Sequence, residues 1–163
     1  MLDILIAVFG ILVFLFGFVV LVGAPYLPTL DNHKKQALDM LNLKPGNTML
    51  ELGCGDGRVL VAAAERGIRC IGYELNPILV LTALWQTRKY RKLVTVRLRN
   101  YWGVKLPEAD GIFVFLLPKY MPKLNNKIIQ EFGKPVKLIS VAFEIPGKKP
   151  SRKGKGLFLY EYK

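Results

Sequence analysis

The spacing of hydrophobic residues predicts an alternation of strands and helices after about residue 30. Short apolar runs, typical of strands covered on both faces, alternate with segments whose apolar residues recur every three to four positions. This alternation predicts an α/β fold with a doubly wound, mostly parallel sheet and an antiparallel C-terminal strand. The predicted strands are 48–53, 69–74, 94–99, 111–117, 136–145 and 157–162. The predicted helices begin at Thr29 or Asp31, Arg58, Pro77 and Lys119.

The first two dozen residues do not have the composition of a globular domain. Residues 4–22 are all aliphatic, Phe, Ala or Gly. As a helix they would be about 28 Å long, close to the hydrocarbon thickness of a bilayer. A cleaved signal peptide normally has a basic start, whereas Asp3 stands here, and a buried hairpin would be shorter. We therefore expect one N-terminal transmembrane helix. The expected divisions are an anchor, 1–23, a linker with a cap helix, 24–46, and a domain, 47–163.

The chain carries a strong positive charge. It has 24 Lys and Arg against 12 Asp and Glu, a formal net charge of +12. Basic residues after a first transmembrane helix, here Lys34 and Lys35, favour the cytoplasmic side, so we expect the N-terminus outside and the domain inside. The charge predicts attraction to anionic lipid, to which the basic turn at 146–156 would contribute. No RNA-binding motif accompanies that turn, so a nucleic-acid partner is not expected.

A metal site is not expected either. The chain has two cysteines, Cys54 and Cys70, and a single histidine, His33. None of them has the spacing of paired metal ligands.

A glycine-rich turn follows the first predicted strand. Gly53, Gly55 and Gly57 stand between this strand and the next helix, where the backbone can approach a ligand and the helix N-terminus offers free N–H groups. The dinucleotide fingerprint requires Gly or Ala at the position of Arg58, and the lysine of a P-loop is missing. A pyrophosphate site is therefore disfavoured, and a nucleoside without phosphates is expected.

Two acidic residues stand at the ends of neighbouring strands. Glu74 ends the second predicted strand, where it can accept hydrogen bonds from ribose hydroxyls. Glu51 lies near the end of the first, where a carboxylate suits an ammonium group and repels phosphate. Adenosine attached to a methionine zwitterion fits both acids. These residues thus predict S-adenosylmethionine as the cofactor.

The motifs "ELGCGDG" and "IGYELNP" resemble the first two motifs of the Rossmann-like S-adenosylmethionine-dependent methyltransferases. Further features extend this resemblance: the apolar N-terminal segment, "PYLPT" and the "YW" after the third strand. With them, the chain resembles the membrane-anchored protein-lysine methyltransferases of mitochondria. That family modifies the ATP synthase c-subunit and the adenine nucleotide translocase. The resemblance covers roughly residues 20–145. It implies methyl transfer to a lysine of a membrane or membrane-associated protein.

Carried over residue by residue, the resemblance implies two sets of site residues. The cofactor-binding set is Glu51, Gly53, Cys54, Gly55, Asp56, Gly57, Glu74, Leu75, Asn76, Asn100 and Tyr101. The catalytic rim, which would guide the substrate lysine, is Tyr26, Trp102, Leu117, Pro118 and Tyr120. Asn100 stands where the family usually has Asp, so an adenine amino group would meet a neutral amide oxygen. Two other interpretations are equally open: Tyr26 as an interfacial anchor after the membrane helix, and Trp102 as a residue of the core.

Other functions remain open at this point. An anchored methyltransferase could act on a lipid-like small molecule, such as a phospholipid amine or a quinone. A non-catalytic module that binds the cofactor in the membrane is the other alternative. Methyltransferases that act on base or amide nitrogens resemble one another in an Asn/Asp-Pro-Pro-Tyr/Phe loop. The segment "LLPKY" lacks the polar residue of that loop, which disfavours those acceptors.

Overall fold

The structure is a computed structural model that describes residues 1–6, 9–10 and 31–163. Residues 2–6 and 9–10 are helical. The helices beyond them are α1 (Asp31–Leu41), α2 (Arg58–Ala64), α3 (Pro77–Thr87) and α4 (Met121–Glu131). The strands are β1 (Thr48–Leu52), β2 (Arg69–Glu74), β3 (Val94–Leu98), β4 (Gly111–Val114), β5 (Val136–Val141), β6 (Arg152–Gly154) and β7 (Leu157–Tyr162). Three short 3₁₀ turns cover Arg88–Tyr90, Tyr101–Gly103 and Pro118–Tyr120.

The strands form one seven-stranded sheet in the order β3-β2-β1-β4-β5-β7-β6. The pairs among β1 to β5 are parallel, whereas β7 runs antiparallel to both β5 and β6. This confirms the predicted α/β class, the mostly parallel sheet and the antiparallel C-terminal strand. The order places β1 at the centre, with β2 and β4 on either side.

Several predicted boundaries are wrong. The strands predicted over 48–53 and 94–99 end one residue earlier, at Leu52 and Leu98, and the helix predicted from Lys119 begins at Met121. The strand predicted over 111–117 ends at Val114, because Val114 pairs with Leu52, the last residue of β1. The strand predicted over 136–145 ends at Val141, because Ala142 adopts a left-handed conformation with φ 69°. The basic turn expected at 146–156 contains a short strand, β6, which pairs with β7.

Helices cover the two faces of the sheet unequally. The core on one face contains side chains of α1, α2 and the strands, and α3 packs beside α2. The core on the other face includes α4 and the buried ring of Tyr101. Between β3 and β4 the only helical element is the 3₁₀ turn Tyr101–Gly103. The sheet is therefore doubly wound, as predicted, with α4 alone covering the second face among residues 31–163.

Most of the predicted transmembrane helix, residues 4–22, lies outside the described residues. Tyr26 lies outside them as well. Within the described ranges no helix has both the length and the apolar character needed to cross a bilayer. The cap helix α1 begins at Asp31, one of the two predicted starts. It ends at Leu41, directly before Asn42, which has a positive φ of 48°.

Candidate active site

The predicted site segments meet at one edge of the sheet. Strands β1 to β4 are parallel, so their carboxyl ends lie on the same side. The glycine loop follows β1, and Leu75 and Asn76 follow β2. Asn100 and the turn Tyr101–Gly103 follow β3, and Leu117 with the turn Pro118–Tyr120 follows β4. The fold thus assembles segments that are distant in sequence, as ligand sites of open α/β sheets require.

All three glycines of the loop adopt left-handed conformations. Gly53, Gly55 and Gly57 have φ values of 89°, 54° and 83°. Other residues disfavour this region because their Cβ crowds the backbone. The turn is closed by the Tyr73 carbonyl of β2, which accepts hydrogen bonds from the N–H groups of both Gly53 and Cys54 at 2.9 Å. The backbone path alone therefore explains why glycine stands at each position.

The surroundings of Gly53 and Gly57 differ, which gives them different roles. A Cβ added at Gly53 would meet nothing within 4 Å, so this glycine faces open space. A Cβ at Gly57 would lie 3.0 Å from Cβ and 3.1 Å from Cα of Ala83 in α3. Gly57 therefore allows α2 and α3 to pack closely. Of these two, only Gly53 leaves room for a ligand beside the loop.

Glu74 is bound to the backbone around it. Its Oε2 accepts a hydrogen bond from the N–H of Gly55 at 2.9 Å. Its Oε1 accepts from the N–H groups of Leu75 and Asn76 at 2.7 and 2.9 Å. A carboxylate has about four acceptor positions, so about one remains. The predicted acceptance of both ribose hydroxyls would require one of these backbone bonds to open.

Glu51 is a buried acid of the site, and one of its oxygens lacks a hydrogen-bond partner. It is only 5% exposed, and its Oε2 has no hydrogen-bond partner among the described residues. Burial raises the pKa of Glu51 well above its usual range, with further contributions from the carboxylates of Asp56 and Glu74. A hydrogen bond from the backbone of Leu60 acts in the opposite direction on this pKa. A buried carboxyl oxygen without a donor is costly, so this atom is suited to a ligand that supplies one.

Two further residues of the predicted cofactor set bind within the protein. The Asp56 carboxylate forms an ion pair with Arg58 at 2.8 Å and accepts from Gln86 Nε2 of α3 at 3.3 Å. The Cys54 thiol is buried, and its Sγ lies 2.8 Å from where a Cβ would stand at Gly72. Burial, above all, raises the pKa of this thiol. Both side chains hold the loop against the domain.

Asn76 and Asn100 both cap short helical segments. The Asn76 Oδ1 accepts from the N–H of Ile78 at 2.9 Å and from Leu79 at 3.4 Å, which caps α3. The Asn100 Oδ1 accepts from the N–H of Trp102 at 3.0 Å and begins the 3₁₀ turn after β3. The side chain of each residue thus has a structural role in this arrangement, beside the cofactor contact that the sequence predicts for it.

Three aromatic rings connect the cofactor segments with the predicted rim. The Tyr101 ring is buried and its centre lies 4.7 Å from that of Trp102, which lies 6.2 Å from Tyr120. Burial raises the pKa of Tyr101, and Tyr120 and Glu74 add to this effect. Trp102 and Tyr120 are partly exposed. Trp102 packs against the core of this face while part of its ring stays exposed, and its role at the rim stays a prediction.

The remaining rim residues are placed as follows. Leu117 is partly exposed and Pro118 is exposed, both directly before α4. Two lysines that the sequence did not single out lie over the rim rings. Lys123 Nζ is 4.7 Å from the centre of the Trp102 ring, and Lys119 Nζ is 4.8 Å from that of Tyr120. The contact of Lys123 with Trp102 joins α4 to the turn after β3, so spacing along the sequence gave no signal for it, whereas Lys119 and Tyr120 are neighbours in one turn.

A polar contact that supports the rim was also missed. Lys127 of α4 donates to the Val104 carbonyl at 2.8 Å and pairs with Glu131, whose Oε2 accepts from the N–H of Leu106 at 2.8 Å. The Lys127 side chain is only 10% exposed. This pair ties the segment after Trp102 to α4. Its i,i+4 spacing was a signal for the pair, but the sequence could not show what else it binds.

Comparison with known proteins agrees with the fold and shows the family of the chain. The profile of the ANTKMT methyltransferase domain matches residues 51–152. The lysine N-methyltransferase of the ATP synthase c-subunit from Xenopus laevis is 33% identical over 132 residues, covering 77% of this chain and 56% of that protein. The protein-lysine N-methyltransferase of Saccharolobus islandicus is 28% identical over 130 residues, covering 77% of this chain and 81% of that protein.

A solved structure shows the same fold. The RNA methyltransferase from Salinibacter ruber, in complex with S-adenosyl-L-homocysteine, superposes with a TM-score of 0.77 and 25% identity, covering 83% of this chain and 92% of that one. The resemblance to lysine methyltransferases is thus confirmed at the level of the family, whereas none of these matches tests the membrane anchor. The chain spans about half the length of the frog protein. The segment that matches the family profile is longer than half of the sequence. The chain therefore belongs to the ANTKMT methyltransferase domain family and has the fold of S-adenosylmethionine-dependent methyltransferases.

Proposed function

We propose that the chain binds S-adenosylmethionine beside the glycine loop and transfers its methyl group to a lysine side chain of a protein. The observation that carries this proposal is the buried Glu51 oxygen without a donor, on the strand that leads into the open face of Gly53. Family membership and the lysine methyltransferases among its relatives support the reaction class. The Saccharolobus relative supports it further, because this chain spans most of that protein's length.

The side chains at the edge of the sheet suit the parts of this cofactor. Glu51 would hold the ammonium group, and Glu74 would accept from the ribose. Tyr101 and Asn100 follow β3, where the resemblance implies the adenine. When bound, the cofactor supplies a methyl group that its sulfonium already activates. The residues of the chain therefore need to bind, orient and exclude water, and a dedicated general base is not required.

The rim is suited to an alkylammonium group. Lys123 and Lys119 each place their Nζ over a rim ring, at 4.7 and 4.8 Å from the centres of Trp102 and Tyr120. These contacts support the proposal, because the ammonium group of the chain's own lysines is the group that a substrate lysine carries. A lysine must be neutral to attack the methyl carbon. Leaving water at a site with a neighbouring positive charge would lower its pKa and favour that form.

The location of the substrate is also part of the proposal. We infer that residues 4–22 anchor the chain in a membrane, with the domain on the cytoplasmic side and a membrane protein as the acceptor. The support is the apolar sequence of this segment and the basic residues that follow it.

The test follows the methyl group. Purified full-length protein is incubated with membranes and radiolabelled S-adenosylmethionine, and the products are extracted into protein, lipid and RNA fractions. We expect label in protein, and mass spectrometry should place it on lysine. Label in lipid would instead support the small-molecule alternative, and label in RNA would overturn the lysine assignment. Cofactor binding without any transfer would support the non-catalytic module.

A matched pair of variants connects the label to the site. Glu51→Gln keeps the shape of the buried acid but cannot become a carboxylate when an ammonium group binds, and we expect the label to be lost. Glu161→Gln makes the same change at an exposed position of β7, far from the glycine loop in the sheet order. It should label as the wild type does. Equal labelling by both variants would overturn the assignment of Glu51.

A further inference from the structure

Helix α3 exposes an apolar face. Beyond residue 30, six large apolar side chains in the described structure are exposed, and four of them belong to this helix. They are Ile78, Leu81, Leu84 and Trp85. The side chains that α3 buries against the domain are Val80, Ala83 and Thr87. All the exposed positions of α3 are apolar, and its polar residues Thr82 and Gln86 are only partly exposed, so its outer face is mainly apolar. A continuous face of this kind marks a contact with a partner or a membrane.

The chain that follows this face is basic. The exposed residues directly after α3 are Arg88, Lys89, Arg91 and Lys92. The whole segment 77–92 contains no acidic residue. The Arg88 guanidinium lies 4.3 Å from the centre of the Trp85 ring and donates to the Trp85 carbonyl at 2.7 Å, so the charges adjoin the apolar face. Leu, Ile and Trp on one face with a Lys- and Arg-rich border is the composition of helices that lie in the interface of anionic membranes.

We propose that the exposed face of α3 docks on the surface of an anionic lipid bilayer, with Arg88, Lys89, Arg91 and Lys92 against the lipid phosphates. A second copy of the chain fits this surface less well, because a symmetric contact would bring two such basic borders into one interface. The docking depends on α3 and its basic border. It requires neither the proposed methyl transfer nor a transmembrane helix at residues 4–22.

This docking would place the membrane beside the active site. Ile78, the first exposed residue of the face, lies two positions after Asn76, which caps α3 at the carboxyl edge of the sheet. A bilayer under α3 would therefore reach the edge where Glu74 and the glycine loop stand. An acceptor group at the level of the lipid headgroups would then be close to the site opening.

The two tryptophans of the chain allow a direct test. Trp102→Phe leaves only Trp85, on α3, and Trp85→Phe leaves only Trp102, at the rim. Each full-length variant is reconstituted in nanodiscs with brominated acyl chains, made of phosphatidylcholine alone or mixed with phosphatidylglycerol. Bromine quenches tryptophans that reach the acyl boundary. We expect quenching of Trp85 that is stronger in the anionic discs, and no quenching of Trp102 in either.

A pair of charge variants tests the basic border. The first variant adds four substitutions to the Trp102→Phe protein, in which Trp85 is the remaining tryptophan. They are Arg88→Gln, Lys89→Gln, Arg91→Gln and Lys92→Gln. The control combines Lys149→Gln, Arg152→Gln, Lys153→Gln and Lys155→Gln, the same change of charge in the exposed segment around β6. The first variant should lose the added quenching that anionic lipid causes, and the control should keep it. Circular dichroism verifies that both are folded.

Three results would overturn the proposal. The first is unquenched Trp85 in anionic discs. The second is an equal loss in both charge variants, which would indicate a general attraction of the net charge. The third is a Trp85 that is already shielded from soluble acrylamide without lipid. Shielding that grows with protein concentration would assign the face to a second copy, and shielding at every concentration would assign it to another segment of the same chain.

Discussion

Alanine substitutions at three glycines separate the ligand-binding role of the loop from its packing role. Gly53, Gly57 and Gly147 have similar φ values of 89°, 83° and 73°. Alanine in this conformation costs about 1–2 kcal/mol, so the three variants share this penalty. A Cβ at Gly53 or at Gly147 has nothing within 4 Å, whereas at Gly57 it lies 3.0 Å from Ala83 Cβ. Gly147, outside the site segments, is therefore the matched control for Gly53.

The expected magnitudes differ between stability and binding. Overpacking against a helix adds about 1–3 kcal/mol, so Gly57→Ala should lose roughly 2–5 kcal/mol of unfolding free energy. In a domain of this size, 1 kcal/mol lowers the melting temperature by about 2–4 °C. Gly53→Ala should melt close to Gly147→Ala. If the ligand fills the open face of Gly53, the added methyl group meets it, and a similar overpacking cost weakens binding by roughly 5- to 150-fold.

Two measurements on the same samples decide the outcome. Thermal melts without ligand rank the three variants by stability, and calorimetric titration with S-adenosylhomocysteine ranks them by affinity. We expect Gly57→Ala to be the least stable, Gly53→Ala to bind weakly, and Gly147→Ala to bind as the wild type does. If Gly53→Ala binds as tightly as Gly147→Ala, the ligand does not lie at the open face, and the site is placed wrongly.

Three further substitutions test the acid, the helix cap and the rim support. Because the pKa of Glu51 is raised, the folded protein keeps a proton that the unfolded chain releases, so the unfolding free energy falls as pH rises from the ordinary carboxyl range towards the raised value. Glu51→Gln should remove this fall, which urea titrations between about pH 5 and about pH 8 would measure. The same slope of unfolding free energy against pH in the variant would contradict the burial argument. Asn76→Ala removes the cap of α3 and should lower the unfolding free energy by about 1 kcal/mol in the same assay. An unchanged unfolding free energy would mean that the two capping hydrogen bonds are not needed. Lys127→Ala should cost about 2–3 kcal/mol, because it leaves the largely buried Glu131 unpaired. The same change at Lys134, whose partner is exposed, should leave stability unchanged, and equal losses would contradict this reasoning.

Local patterns predicted the elements that the parallel sheet requires. The segments 69–74 and 157–162 were predicted at the same residues that form β2 and β7. Both are short, largely apolar runs with turn residues beside them, a pattern that defines a strand without reference to the rest of the chain. The glycine loop was equally visible, because three left-handed positions in five residues strongly favour glycine whatever surrounds them.

Features that depend on a neighbour in space were not readable. Strand β4 ends at Val114 because its partner β1 ends, although the apolar run continues to Leu117. The close contact of Gly57 with Ala83 joins two helices, and no local pattern distinguishes it from a ligand contact. The face that α3 exposes was hidden for a similar reason. Its sequence is apolar around most of the helix, so periodicity predicts the helix but not the side that meets the domain.

The distribution of charge in the structure explains how a strongly basic chain can keep an acidic site. The net charge is +12, yet the carboxylates of Glu51, Asp56 and Glu74 are close enough to influence one another at the carboxyl edge of the sheet. Arg58 neutralises Asp56, and backbone N–H groups hold Glu74, which leaves the Glu51 oxygen without a donor. A cation with N–H donors is the ligand that would relieve this oxygen, whereas a phosphate would add negative charge to the site. We therefore expect the acids to select the class of ligand and to leave the surrounding basic surface for contacts outside the site.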